Sequence, residues 1–244
     1  MFRDRRCAHA SPGQYVMLWL PGVDEVPMSL SSIGPGVLCG VSVERVGEAT
    51  TVIHQLKEGD LVGVRGPFGK GFTPSKGKVL LVAGGTGLAS LLPLAERFKA
   101  LGGNVLMACG GKTRSVLFGL ERLRSLVGSE SLVLATEDGS VGVKGLVTEV
   151  AARILDESGF EAVYTCGPEP MMRVVFELAE RRGVPTQACL ERMVKCSLGL
   201  CGSCMIGRFR LCKDGPVLSS VQLREVLDEF GVFTRGFDGS PIWY

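Results

Sequence analysis

Three cysteines crowd one short stretch of this 244-residue chain, Cys196-Ser197-Leu198-Gly199-Leu200-Cys201-Gly202-Ser203-Cys204, and Cys212 follows close behind. The spacing C-x4-C-x2-C…C restricts the fold more than any other feature. Three thiols so near in sequence can face a common centre only if the backbone wraps into a tight loop. A plant-type 2Fe–2S cluster requires this spacing, with three thiolates from the loop and a fourth from a neighbouring strand. Gly199 and Gly202 suit such a loop, because they reach positive φ and bring backbone N–H groups up to the sulfurs. Four cysteines also suit a tetrahedral zinc ion, and unligated thiols are a third reading. Zinc sites usually pair two knuckles far apart in sequence, whereas here three ligands share one loop. Cys196, Cys201, Cys204 and Cys212 are therefore the candidate ligands of a metal centre in a protein that moves electrons.

The remaining composition limits the setting. A formal net charge of +2 gives no reason to expect a nucleic-acid partner. No run of 18 uncharged apolar residues predicts a membrane span, and no basic n-region precedes an apolar h-region, so no secretion signal is expected. Nine cysteines in such a chain read as ligands and free thiols of a reducing, cytoplasmic compartment. Cys7, Cys39, Cys109 and Cys189 have no partner spacing and are expected to be small buried hydrophobes.

Three segments follow from the patterning. Residues 1–75 read as short strands with Gly and Pro punctuation: Tyr15–Leu20 between Pro12-Gly13 and Pro21-Gly22, then Val37–Val46 and Leu61–Arg65. This predicts a small antiparallel barrel whose first strand is clipped. Residues 76–185 alternate apolar strands (Val79–Ala83, Val105–Cys109, Leu132–Thr136, Ala162–Cys166) with helices near Leu88–Leu101, Val116–Val127, Leu146–Glu157 and Met171–Arg182. That is an open, doubly wound parallel α/β domain. Residues 186–244 carry the cysteine loop and a last helix with the capping box Ser219-x-x-Gln222 and Gly231 at its end. A piece this small buries little core of its own, so the metal centre is expected to staple it.

Two glycine turns lie where parallel strands end. Gly84-Gly85-Thr86-Gly87 links the first strand to its helix, where a close backbone and unpaired N–H groups favour a pyrophosphate. The strand ending Tyr164-Thr165-Cys166 runs into Gly167-Pro168-Glu169-Pro170-Met171. Ligands of open α/β sheets sit outside such carboxyl ends, although Cys166 is equally readable as a packed strand-end thiol.

These turns resemble the nicotinamide domain of the ferredoxin–NADP reductase superfamily. The barrel segment carries that superfamily's flavin motif in altered form, Val26-Pro27-Met28-Ser29, and the loop Gly66-Pro67-Phe68-Gly69-Lys70-Gly71-Phe72. With the cysteine module ending Cys212-Lys213-Asp214-Gly215-Pro216-Val217, the order resembles the electron-transfer subunits of class 1B dihydroorotate dehydrogenases, from about Pro12 onward. The resemblance implies FAD in the barrel, NAD(H) at the α/β domain and a 2Fe–2S cluster facing an FMN-containing catalytic subunit, as a heterotetramer serving pyrimidine synthesis. It implies FAD contacts at Pro27, Met28, Ser29, Val43, Ala49 and Thr50, with Ala49-Thr50 at the diphosphate. It puts the nicotinamide nucleotide at Gly84, Gly85, Thr86, Gly87, Gly167, Pro168 and Met171, with Cys166 bordering the nicotinamide as the candidate catalytic residue. NADH over NADPH comes from the resemblance as well, since Lys112 and Arg114 would suit a 2′-phosphate.

Two positions depart from the pattern. Val26 stands where the flavin motif usually has arginine, and Glu44 stands at a second basic position. A different phosphate anchor is implied, from Lys70, Arg45 or backbone amides. His54 reads as structural. Arg192, Lys195, Arg208, Arg210 and Lys213, around the cysteines, are expected to be a solvated face, the alternative being charge compensation or docking. Leu198 and Leu200 read either as a docking patch or as packing under the cluster. Two other functions use the same parts: the flavin subunit of a cytosolic hydrogenase or NADH-dependent ferredoxin–NADP transhydrogenase, and a stand-alone iron–sulfur redox sensor.

Overall fold

Strand β2 (Tyr15–Leu20) lies at the heart of an antiparallel sheet in the computed structural model, which describes residues 1–34, 37–157 and 159–244. Its apolar residues Val16 and Leu18 turn inward onto Leu30, Cys7 and Cys39, a small core closed by buried thiols. A turn at Gly22 folds β3 (Asp24–Ile33) back onto β2, pairing Tyr15 with Ser29 and Met17 with Pro27. β1 (Phe2–Arg3), β4 (Leu38–Val41) and β5 (Gly63–Phe68) complete the order β1-β4-β3-β2-β5. Edge strands β1 and β5 are not hydrogen-bonded to each other, so the sheet is a curled half-barrel and not a closed one. The Arg6 guanidinium spans the gap, donating to the Val64 carbonyl at 2.9 Å. The strand expected over Val37–Val46 is only β4, with residues 42–46 irregular, and helix α1 (Glu48–Gln55) follows them. The expected Leu61–Arg65 strand shifts to β5, leaving Leu61 91% exposed.

The parallel sheet forms because β6 (Lys78–Gly84) is apolar on both faces. Val79, Leu81 and Ala83 pack under α2 (Leu88–Ala100) and α3 (Leu120–Val127). Leu80 and Val82 pack under α4 (Val147–Leu155) and α5 (Glu169–Glu180). With β7 (Val105–Gly111), β8 (Leu132–Thr136), β9 (Val143–Lys144), β10 (Phe160–Cys166), β11 (Thr186–Cys189) and, later in the chain, β14 (Val217–Ser219), the order is β14-β11-β10-β6-β7-β8-β9. Only β14 runs antiparallel to its neighbour. Helices on both faces make the sheet doubly wound, as expected.

The sheet continues past residue 185, because β11 joins β10 with Cys166 opposite Cys189. Between β11 and β14 the chain makes the cysteine loop and the hairpin of β12 (Met205–Ile206) and β13 (Phe209–Arg210). Its apolar residues do not form a core alone. Ile206, Leu211, Leu223 and Phe230 pack with Met172 and Phe176 of α5. Helix α6 (Ser220–Arg224) begins at the expected box, with Ser219 N–H donating to Gln222 Oε1 at 3.0 Å. It ends after five residues, so Gly231 closes the turns that follow it and not the helix itself. A last hairpin, β15 (Phe233–Arg235) and β16 (Pro241–Trp243), follows. Among the described residues, no helix is long and apolar enough to cross a membrane.

Candidate functional site

The two glycine turns meet back to back. Gly84, at the end of β6, lies against Pro168 and Met171, and a side chain on Gly87 would run into the Cys166 carbonyl and the Gly167 amide. Gly167 sits at φ +153° with its own face against the Gly84 backbone. Only residues without Cβ allow the two strand ends to approach this closely. The sequence-predicted set Gly84, Gly85, Thr86, Gly87, Cys166, Gly167, Pro168 and Met171 therefore forms one place in the fold. Pro168 precedes the first turn of α5, and Thr86 lies in the 3-10 turn that leads into α2.

A cavity of about 270 Å³ opens beside them, walled by three segments. The antiparallel sheet contributes Tyr15, Pro27, Met28 and Ser29, and the α1 approach contributes Glu44 and Thr50. The glycine turn and the start of α2 contribute Thr86, Gly87 and Ser90, and the paired strand ends contribute Cys166 and Cys189. Leu190 and Arg192 close it from the cysteine module. A second, shallow depression near Trp19 and Gly63 has none of these groups. Val43, Ala49, Gly84, Gly85, Gly167, Pro168 and Met171 do not line the first cavity. The Val43 carbonyl accepts from His54 Nε2 at 2.9 Å, which gives His54 its structural role.

The hydrogen bonds of α1 explain why Thr50 is there. Its Oγ1 accepts from the N–H groups of Val46 and Gly47, each at 2.9 Å, and fixes the turn into the helix. The amides that open α1, from Glu48 to Thr50, precede the first helical bond, which Thr51 N–H makes to the Gly47 carbonyl at 2.9 Å, and such amides favour an anion. A hydrogen bond to Cys189 and burial hold the Cys166 thiol well above the usual thiol range. It is a neutral wall group, with no thiolate character.

The cysteine loop is shaped by left-handed residues: Ser197 at φ 58°, Gly199 and Gly202 at 75°. Amides turned inward by this path surround Cys196, with Leu198 N–H 3.4 Å from its sulfur. Hydrogen bonds from the amides of Cys201, Leu198 and Leu200 lower its thiol to about 6, the direction a metal thiolate needs. The β12–β13 hairpin returns the chain so that Leu211 N–H donates to the Cys204 carbonyl at 3.1 Å and Cys212 N–H to the Cys204 sulfur at 3.4 Å. Side-chain hydrogen bonds link Cys196 with Cys201 and Cys204 with Cys212, and Cys196 is close enough to Cys212 to raise it as well. Burial, together with Cys204, pushes Cys212 up to about 12. Among the described residues no three His, Cys, Asp or Glu side chains converge on one ion position. Two pairs fit a two-iron cluster with two thiolates per iron. Cys201 is exposed and Cys204 and Cys212 are buried, so a centre held by all four thiols would have its Cys201 side nearest the surface.

Arg192 corrects the expectation of a solvated basic face. Its side chain is 2% exposed and pairs with Glu169 at 2.6 Å and Glu229 at 3.3 Å. Glu229 also takes Arg235 at 2.9 Å, and Glu169 accepts the Gly231 N–H at 3.2 Å. Burial raises Glu169 above the usual carboxylate value while Arg192 opposes the rise. The network ties the residue after Gly167-Pro168 to the cysteine module. Arg210 is also engaged, donating to the Gly199 carbonyl at 3.1 Å beside its pair with Asp214. Arg208 remains 74% exposed. Sequence reasoning missed Tyr15 and Ser90 in the cavity wall. The missing signal for Tyr15 was its place opposite Ser29, which only strand register reveals.

Comparison with known proteins agrees with this geometry. Residues 191–224 match the iron–sulfur cluster binding domain of dihydroorotate dehydrogenase B, and residues 81–177 match the oxidoreductase NAD-binding domain. The chain is 43% identical over 235 residues to the probable dihydroorotate dehydrogenase B (NAD(+)) electron transfer subunit of Methanocaldococcus jannaschii, covering 96% of this chain and 88% of that one. It is 41% identical over 229 residues to the same subunit of Pyrococcus horikoshii, covering 94% and 86%. Among solved structures, it superposes with a TM-score of 0.78 and 30% identity on an NADH-dependent reduced ferredoxin–NADP oxidoreductase, over 91% of this chain and 83% of that one. The chain is an NADH-linked oxidoreductase component whose cofactors are a 2Fe–2S cluster, FAD and NAD(H). It belongs to the family of dihydroorotate dehydrogenase B electron transfer subunits.

Proposed function

We propose that this chain passes electrons between NADH and the FMN-containing catalytic subunit of a cytoplasmic dihydroorotate dehydrogenase, assembled with it as a heterotetramer. The carrying observation is the single cavity walled by the flavin motif, the glycine turns and the cysteine module. Bound here, FAD would supply the exchange between two-electron hydride and one-electron chemistry, and a 2Fe–2S cluster would supply one-electron transfer. Cys196 and Cys201 would hold one iron, Cys204 and Cys212 the other. Pro27, Met28 and Ser29 would seat the isoalloxazine, with Ala49, Thr50 and the α1 amides at the diphosphate. Arg45 is the nearby exposed cation. Arg65 is not available to replace the missing arginine, because Glu25 holds it at 2.7 Å. Gly84–Gly87, Gly167, Pro168 and Met171 would shape the nicotinamide site, with neutral Cys166 at its border. Gly87→Ala, whose methyl meets the opposing turn, is expected to weaken NADH binding at least about tenfold in a direct titration. Unchanged binding would remove Gly87 from the site.

Arg114 is tied to its own turn, its Nη1 donating to the Leu117 carbonyl at 3.0 Å. Lys112 beside it is exposed, and NADH is the expected donor because the relatives are named for NAD(+). The ratio of flavin reduction rates measures this, and a tenfold preference for NADPH, about 1.4 kcal/mol, would contradict it.

The partner surface follows from exposure. Leu198 and Leu200 are 59% and 81% exposed beside exposed Cys201, which argues against packing under the cluster. Leu200→Glu is expected to weaken binding to the catalytic subunit at least about tenfold while cluster absorbance stays intact. The likeness to the ferredoxin–NADP oxidoreductase supports a second reading with the same chemistry and another partner. Dihydroorotate oxidation that appears only when the dihydroorotate dehydrogenase catalytic subunit is added favours the first reading.

A further inference from the structure

Tyr15 opens β2 and touches two sites at once. Its side chain is buried, 5% exposed, and lines the cavity beside Pro27 and Ser29. Its ring packs on Phe68 with centroids 5.8 Å apart, and it shares an apolar core with Cys204 and Cys212. Its hydroxyl donates to Ser197 Oγ at 3.2 Å. That bond is buried and joins residues 182 apart in sequence.

Ser197 follows Cys196 directly. It is 4% exposed and, among the described residues, the one non-glycine at positive φ, 58°. An L-residue is strained there because its Cβ crowds the following carbonyl, so a free loop would favour glycine, as at Gly199 and Gly202. The Tyr15 hydroxyl supplies the side-chain hydrogen bond that Ser197 makes in this conformation. Arg65 braces the same turn, its Nη1 reaching the Cys196 carbonyl at 3.5 Å while Glu25 grips the rest of the guanidinium.

We propose that Tyr15 is a positioning residue that sets the cysteine loop against the flavin cavity by holding Ser197, and with it the Cys196 sulfur, in the left-handed turn. The inference rests on the reading of this cavity as the flavin site and of the loop as the cluster site. Electron transfer weakens steeply with distance, so a loop free to relax lengthens the mean path between the two.

Three holoproteins test this: wild type, Tyr15→Phe, and Tyr15→Phe with Ser197→Gly. Tyr15→Phe keeps the ring and removes the hydroxyl, and Ser197→Gly removes the strain. The readouts are iron and sulfide content, the linewidth of the reduced cluster's paramagnetic resonance, and the rate of cluster reduction relative to flavin reduction after mixing with NADH. Tyr15→Phe is expected to broaden the resonance and lower that ratio about tenfold, the size of one hydrogen bond's effect on a conformational equilibrium. The glycine is expected to restore both. Cluster loss in Tyr15→Phe that the glycine restores supports the same role. An unchanged linewidth and ratio in Tyr15→Phe, or a defect that the glycine does not restore, would overturn the proposal while leaving the cluster reading intact. Wild-type protein without iron and sulfide would overturn the reading on which the proposal rests, and the proposal with it.

Discussion

Arg192→Ala is expected to destabilise the protein by about 3–5 kcal/mol, because it strands the Glu169 carboxylate in the interior and leaves Glu229 with Arg235 alone. Glu169 and Glu229 are 3% and 4% exposed at the side chain, and Arg192 is the cation between them. The loss should depend on pH. Burial already raises the Glu169 carboxyl above its ordinary value, and Arg192 pulls it down. Without the arginine the folded-state value rises further. A carboxyl with a raised folded value binds more protons folded than unfolded, so stability falls as pH rises through the window between the two values. The deficit relative to wild type should therefore widen from acidic to neutral pH, and Glu169→Gln added to Arg192→Ala should recover part of it. Urea denaturation at several pH values reads all three quantities. A deficit below about 1 kcal/mol, the range of exposed pairs, would mean that the network is solvated after all.

Cys204→Ser is expected to abolish the iron–sulfur absorbance completely and to open the cysteine loop. The backbone between Cys196 and Cys204 has no regular structure, so a cluster ligated by these thiols would be a main brace of the loop. The opening should stop short of β14, which pairs with β11 in the large sheet. Hydrogen exchange should accordingly rise over residues 193–212 and stay unchanged in β6, β10 and β14. Retained absorbance in the serine variant, or protection lost across the whole sheet, would contradict the assignment of Cys204 and of the module's shared core.

What the sequence disclosed depended on how local each signal is. The cysteine loop, the parallel strands and the two glycine turns are each written within a dozen residues, so periodicity and spacing find them. β3 escaped notice because Pro27 interrupts it, and a proline demotes a strand pattern. Helix α1 was hidden by its β-branched run Thr50-Thr51-Val52-Ile53, poor helix formers that tertiary packing overrides. β11 and β14 are too short to read alone and exist through pairing with partners far along the chain. Arg192 looked like surface because its carboxylates lie 23 and 37 residues away. The half-barrel accords with the expected small antiparallel barrel of clipped first strand, since β1 spans only Phe2–Arg3 and does not pair with β5.

The central claim is that NADH electrons reach an iron–sulfur centre held by this chain. Anaerobic addition of NADH to the purified holoprotein, with metal and sulfide analysis of the same sample, tests it most directly. The account predicts about two irons and about two acid-labile sulfides per chain, with bleaching of flavin and cluster absorbance and the appearance of the reduced cluster's paramagnetic resonance. Stoichiometric zinc without sulfide, or a cluster that NADH leaves oxidised while the flavin is reduced, would contradict it.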